Sequence, residues 1–429
     1  MELYVVQQGD TIQSIADHYM IPVEMLIRDN GLTLPYVLVI GQALVIAIPE
    51  SIYTVKEGDT LVSIANSNNV SVMNLLMNNP YLSDREFLFP GDTIIIKYST
   101  KGTITTHGNT VPYIDKSTLK KTLPYLTYLS ILNFTATRDG EIITYYDDTN
   151  IISMAKVYGV MPLMLLTTLT VQGEANIGIA YDILLNEEIQ NKQIENILTL
   201  LKTKGYYGIN ISFEYVSVAN FDLYEKYLTK ISKRINEEGY LVFTTINTNI
   251  TNVNQEVRFE KVDYSTLDQL AQNIIFMNYE WATNINPPSP ISSIYNIDAF
   301  LNYVSEYIAP DKEIIGLATI GYDWELPFLA GLSSVYSLTL ERAIDLARNG
   351  GAEIKFDEIS QTPFFNYIIT MNQNSIAHIV WFIDPRSVNA LLDLAVKYNL
   401  HGISIWNITI YNPQLWLVIN SQYDIVKLL

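Results

Sequence analysis

The sequence predicts an α/β protein, a (β/α)8 TIM barrel with an α+β insertion, preceded by two small βααβ domains. Three observations carry this reading. Two matching segments fill residues 1–98. Over residues 123–429, short apolar strands alternate with helical stretches, the pattern of a parallel sheet covered by helices. Between about 325 and 385 the alternation gives way to a long mixed stretch, which reads as an inserted lobe.

Composition narrows the function classes. The chain has 429 residues, 48% of them hydrophobic and 17% charged, enough for a large core in two or three domains. A formal net charge of −19 disfavours nucleic acid and anionic membranes as partners. The absence of Cys excludes disulfides, thiolate metal sites and Cys nucleophiles. His18, His107, His378 and His401 show no helical ligand spacing, so a His-based metal site is not expected, and no cofactor is expected either. No GxSxG elbow, P-loop or HExxH is present, and no GxGxxG follows a strand. The start, MELYVVQQGDT, lacks the pattern of a secretion signal. The apolar stretches near 38–49 and 159–171 fall short of the roughly 18 residues that a membrane helix needs. The expectation is a soluble monomer made without a secretion signal.

The first unit runs from YVVQQGDT to LVIGQALVIAIP and the second from YTVKEGDT to LFPGDTIIIKY. Tyr4 aligns with Tyr53, Gly9 with Gly58, Asp10 with Asp59 and Asn30 with Asn79, each 49 residues apart, and Gly41 with Gly91, 50 apart. β-Branched and Tyr residues open each unit as a strand. Gly-Asp-Thr then turns the chain, and Asp10 or Thr11 (Asp59 or Thr60) caps a helix. Ile12, Ile15 and Ala16, like Leu61, Ile64 and Ala65, keep the spacing of one buried helical face. Val23 to Asn30 and Val72 to Asn79 give a second short helix, and a glycine turns the chain into the closing strand.

This pattern resembles the lysin-motif (LysM) domain, with one domain over 1–49 and a second over 50–98. The resemblance implies binding of N-acetylglucosamine chains such as peptidoglycan and chitin. The implied groove lies at Gly9, Asp10, Thr11 and Ile12 with the loop from Asn30 to Leu32, and at Gly58, Asp59, Thr60 and Leu61 with Asn79 to Leu82. Taken singly, each is also a residue that the turn itself demands. Tandem modules gain avidity on a repeating polymer.

Residues 99–122 are polar with little periodicity and read as a linker before a barrel at 123–429. Strands are expected at 127–134, 162–169, 206–214, 240–247, 274–281, 313–324 and 402–406, with helices at about 183–204, 217–238, 264–272, 297–308, 338–349 and 386–398. That makes seven strands, and the eighth is placed near Gly140–Tyr145.

The chemistry concentrates in GYYGINISFEYV, Gly205 to Val216. Residues two apart share a face of a strand, so Asn210, Ser212 and Glu214 point together into the barrel. Glu214 falls at the C-terminal end of its strand, where barrel enzymes place catalytic groups. Burial there raises a carboxyl pKa and makes a general acid near neutral pH.

The stretch resembles the fourth-strand DGxDxDxE element of family 18 glycoside hydrolases. With the LysM repeats, the whole chain resembles the spore cortex-lytic N-acetylglucosaminidases of the SleL/YaaH type. The resemblance implies a substrate-assisted retaining mechanism. Glu214 protonates the glycosidic oxygen while the substrate's 2-acetamido carbonyl attacks the anomeric carbon. Gly208 matches the glycine of the element, Tyr207 replaces its first Asp and Asn210 its second. Ser212 replaces the third, which in the family orients the acetamido N–H and stabilises positive charge. Glu280 and Asp323 are the candidates to compensate. MNYEW, Met277 to Trp281, implies that Tyr279 hydrogen-bonds the acetamido oxygen. GYDW, Gly321 to Trp324, implies that Tyr322 and Asp323 line the cleft, and GISIW that Trp406 stacks on the sugar. Asn133 is a weaker substrate contact. Trp381 and Asp384 read as core rather than cleft.

The leading reading is a peptidoglycan hydrolase at the boundary of spore coat and cortex. The alternative is a weakly active or inactive glycan-binding spore protein, which Ser212 favours. A chitinase acting on a foreign polymer would need a secretion signal.

Overall fold

Turn chemistry builds each N-terminal unit. The computed structural model describes residues 1–85, 87–169, 176–213, 217–248, 250–253, 256–277, 284–371 and 374–429, and every structural statement concerns these. The first unit contains strand Glu2–Val5, helices Ile12–Tyr19 and Val23–Asp29, and strand Ala43–Ile46; the second contains Ser51–Thr54, Leu61–Ser67, Val72–Asn78 and Thr93–Lys97. The two strands of each unit pair antiparallel. Gly9 and Gly58 turn the chain at φ +91° and +85°. Asp10 then accepts from the Tyr4 hydroxyl (2.7 Å) and the Gln7 amide (2.6 Å), and Asp59 from Tyr53 (2.9 Å) and the Lys56 amide (2.7 Å). With the acids committed to the turn, Thr11 and Thr60 cap the helices, each in a reciprocal box with the serine three residues on.

Asn30 and Asn79 fasten the second helix of each unit to the closing strand. Asn30 Nδ2 donates to the carbonyls of Leu26 and Val45, and its Oδ1 accepts from the Val45 amide. Asn79 repeats this with Leu75 and Ile95. Both side chains are buried, so the asparagines expected to hold glycan instead hold the fold.

Eight parallel strands close the barrel: β1 Thr103–Thr110, β2 Tyr128–Ala136, β3 Met161–Thr167, β4 Gly208–Ser212, β5 Leu241–Asn247, β6 Asn273–Met277, β7 Glu313–Ala318 and β8 Gly402–Trp406. The ring closes where β1 pairs with both β8 and β2. This corrects two expectations. Residues 103–110 are the first barrel strand, not part of a linker. Ile142–Thr144, near the expected eighth strand, pairs antiparallel to β2 outside the ring. The polar sequence TITTHGNT disguises β1 because its interior neighbours are themselves polar. At Gly208 a Cβ would lie 2.3 Å from the Leu241 carbonyl oxygen, so β4 and β5 approach as only glycine allows.

The inserted lobe starts earlier than the composition suggests. Strand Gly321–Leu326 follows β7 almost at once and joins a five-stranded antiparallel sheet with Val335–Leu338, Lys355–Asp357, Thr362–Met371 and Asn374–Trp381. Helix Leu340–Asn349 packs on one face of this sheet through Ala343, Ile344 and Ala347.

Candidate active site

A polar layer crosses the barrel interior below its C-terminal rim. The Asn210 side chain donates to Ser130 Oγ of β2 (3.2 Å) and accepts from Thr245 Oγ1 of β5 (2.9 Å). Ser130 meets His107 Nε2 (2.7 Å), and His107 Nδ1 meets Ser404 Oγ of β8 (2.8 Å). Asn109 Nδ2 donates to Ser404 Oγ (3.1 Å) and to the Ile405 carbonyl (3.1 Å). The bond from β4 to β2 skips β3, so it runs through the lumen and fixes Asn210 as inward-facing. Ser212, two residues on, shares that face and is half-buried.

Full burial depresses the pKa of His107 to about 3, so the imidazole is neutral at physiological pH. It therefore orients its serine neighbours rather than donating charge. In the sequence His107 figures only as a histidine without metal-ligand spacing, and Asn109, Ser130, Thr245 and Ser404 carry no expected role. The alternation of Thr105, His107 and Asn109 on one strand face is the signal that could have found them.

Asn210 is wholly buried in this layer. It underpins the floor of the cleft and cannot reach a sugar, contrary to its expected role in substrate binding. Ser212 ends β4 and Trp406 ends β8, four places around the ring. Trp406 is half-buried, and its carbonyl accepts from the Thr319 amide (3.0 Å) and hydroxyl (3.2 Å). Glu214, Tyr279 and Glu280 lie outside the described residues.

Two other candidates point away from the cleft. Asn133 lies on β2, the second strand rather than the first, and is 1% exposed. Its Nδ2 donates to the Tyr146 carbonyl (2.8 Å) and to Asp148 (3.1 Å), while its Oδ1 accepts from the Tyr146 amide (2.9 Å), so it holds a loop. Asp323 accepts from the Tyr367 hydroxyl (2.6 Å) and lies 3.0 Å from His378 Nδ1, on the lobe face covered by helix Leu340–Asn349. Tyr322, on the opposite face of that strand, packs toward the barrel beside Trp324 and opposite Trp381. Trp381 stacks on Phe364 at 4.6 Å, and Asp384 caps helix Pro385–Lys397 while gripping Arg386 at 2.7 Å.

At the far end of the barrel, Glu313 opens β7 with both carboxyl oxygens unbonded. Burial pushes its pKa up to about 8, so it is mainly uncharged at neutral pH, at the end opposite the cleft.

On the first N-terminal unit, Asp10, Thr11, Ile12 and Gln13 face Tyr36, Val37 and Leu38 across an open groove of about 480 Å³. Asn30 to Leu32, expected as its second wall, instead line a cavity against the barrel. On the second unit, Val62, Phe87 and Phe89 are exposed, 58%, 72% and 59% respectively, while Leu82 is buried.

Comparison with known proteins agrees with this architecture. Residues 109–410 match the model of glycosyl hydrolases family 18, and residues 4–47 and 53–97 each match the LysM domain. The cortical fragment-lytic enzyme of Bacillus anthracis is 30% identical over 100% of this chain and 99% of its own. The crystal structure of the spore cortex-lytic enzyme SleL of Bacillus megaterium superposes with a TM-score of 0.80 at 31% identity, covering 100% of this chain and 99% of that one. A chitinase of Chromobacterium violaceum shares the fold, with a TM-score of 0.66 at 18% identity over 74% of this chain and 98% of its own. The chain thus belongs to glycosyl hydrolase family 18 and carries two LysM domains at its N-terminus.

Proposed function

We propose that this protein hydrolyses spore-cortex peptidoglycan after N-acetylglucosamine, acting at the cortex on glycan that its LysM domains retain. The observation that carries the reading is the inward face of β4, where Asn210 bonds across the lumen and Ser212 shares its face, four strands around the ring from Trp406; Glu214 is two residues beyond Ser212 in the sequence. The naming of full-length relatives as cortical fragment-lytic enzymes supports the substrate class.

In the proposed mechanism Glu214 protonates the leaving oxygen. The acetamido carbonyl of the bound sugar closes on the anomeric carbon to give an oxazolinium ion, which water then opens with retention. Tyr279 donates to the acetamido oxygen and Trp406 stacks beneath the ring. Ser212 accepts from the acetamido N–H but brings no negative charge. Such a loss costs on the order of a few kcal/mol, or roughly a hundredfold in rate. Asp323, engaged with Tyr367 and His378, is not placed to make good the deficit, which leaves Glu280 as the candidate.

Ser212 also favours the second reading, a protein that binds glycan without cutting it. Glu214→Gln separates the two. Release of reducing ends from soluble cortex fragments should fall by about three orders of magnitude or more, while retention on insoluble peptidoglycan is unchanged. Equal release by the variant would remove Glu214 from the mechanism. Ser212→Asp should raise kcat by about tenfold or more, and a fall would mean that another acid already holds the charge.

A further inference from the structure

The first LysM domain is seated on the catalytic end of the barrel rather than tethered beside it. Arg348 Nε of the lobe donates to the Val37 carbonyl (3.0 Å), the Ile354 amide to the Ile40 carbonyl (2.9 Å) and Arg386 to the Gly41 carbonyl (3.2 Å). Gln414 donates to Asn30 Oδ1 (2.9 Å) and to the Ala43 carbonyl (3.0 Å). Between this domain, the lobe helix and the loops after β7 and β8 lies an open cavity of about 510 Å³.

Its lining has the chemistry of a sugar site. Leu32, Ile320 and Ile410 supply apolar surface, while Gln42, Asn407 and Asn412 supply side-chain amides. Gln42 is 5% exposed, and its Oε1 accepts from the Val39 amide. Asn407 and Asn412 likewise spend their oxygens, on Thr409 and on the Leu415 amide. Among the described residues the three amide nitrogens donate to no protein group. Opening onto the cavity, these donors can serve a ligand rich in acceptors. An N-acetylated amino sugar meets both demands, with C–H faces for the apolar wall and hydroxyl and acetamido oxygens for the amides. Position points the same way. Asn407 follows Trp406 directly, and Thr319 bonds the Trp406 carbonyl, so the cavity begins one residue beyond the end of β8.

We propose that this cavity is an outlying subsite, walled jointly by the first LysM domain and the barrel, for an N-acetylated amino-sugar unit of the strand being cut. The inference rests on the glycosidase reading above. It makes the docked LysM domain part of the substrate path, so that long strands gain a second contact at high effective concentration and short ones do not.

Ile410→Trp and Thr33→Trp, at two exposed positions on opposite walls, test it. Each should leave the melting temperature unchanged. Each should raise KM about tenfold for long cortex fragments with kcat preserved, and leave the shortest cleaved fragments unaffected, as loss of uniform binding requires. KM unchanged at every length would overturn the subsite. If wild-type protein cuts no fragment, the glycosidase reading fails, and calorimetry with the N-acetylglucosamine hexamer decides the cavity separately. Weaker binding by both tryptophan variants supports it, and unchanged binding overturns it.

Discussion

The two LysM domains share a turn, a capping threonine and a buried asparagine, yet they meet the rest of the molecule differently. The first is wedged between the lobe and the catalytic end of the barrel, with Val39 inside the lobe's own core. The second packs toward the other end. There Tyr125 donates to the Met77 carbonyl (2.5 Å), Asn420 to Asn78 (2.7 Å), and Asp84 meets Ser117 (2.5 Å) and Lys121 (2.9 Å). Repeated residues make the module, and unrepeated ones place it. The repeat therefore predicts the fold of each copy and nothing about its station.

Gly41 and Gly91 sharpen this contrast most. They are counterparts, at φ +83° and +97°. A Cβ on Gly41 would sit 1.9 Å from the Ile354 carbonyl oxygen, whereas one on Gly91 would meet nothing within 4 Å. Gly41→Ala should cost about 3 kcal/mol or more, from the clash and the backbone strain together, and should free the 31–47 segment to exchange hydrogen. Gly91→Ala should cost only about 1–2 kcal/mol, the strain alone. Calorimetric melting and hydrogen exchange read both, and equal costs would break the comparison.

The asparagines test the shared part. Asn30→Ala and Asn79→Ala each strip a strand amide and buried carbonyls of their partners, and each should cost about 2–3 kcal/mol. Faster exchange should appear at the Val45 and Ile95 amides respectively. A much smaller effect at either site would mean that the two copies are not held together by the same device.

Much of the fold was legible because local patterning agreed with tertiary demand. The helices at 187–204, 221–237, 340–349 and 385–397 and seven barrel strands lie close to where apolar spacing puts them. β1 escaped because it lines a polar lumen, so His107 and Asn109 break the apolar run by which a buried strand is recognised. The site was less legible. A strand pattern fixes the face of Asn210 but not its depth, and depth decides whether an amide touches a sugar or a neighbouring serine. Asp323 failed for a related reason. Its strand belongs to the lobe and turns its alternate residues under a lobe helix, away from the cleft. The asparagines at 30 and 79 recur at fixed spacing in both copies, and recurrence cannot distinguish a ligand contact from an internal clamp.

In the proposed function the barrel cuts glycan with Glu214 while the LysM domains hold it. A mass spectrum of products from purified cortex fragments tests this most directly. New reducing ends borne by N-acetylglucosamine are expected with wild-type protein, and none with Glu214→Gln. Intact fragments after prolonged incubation with wild-type protein, or new ends borne by muramic acid, would contradict it.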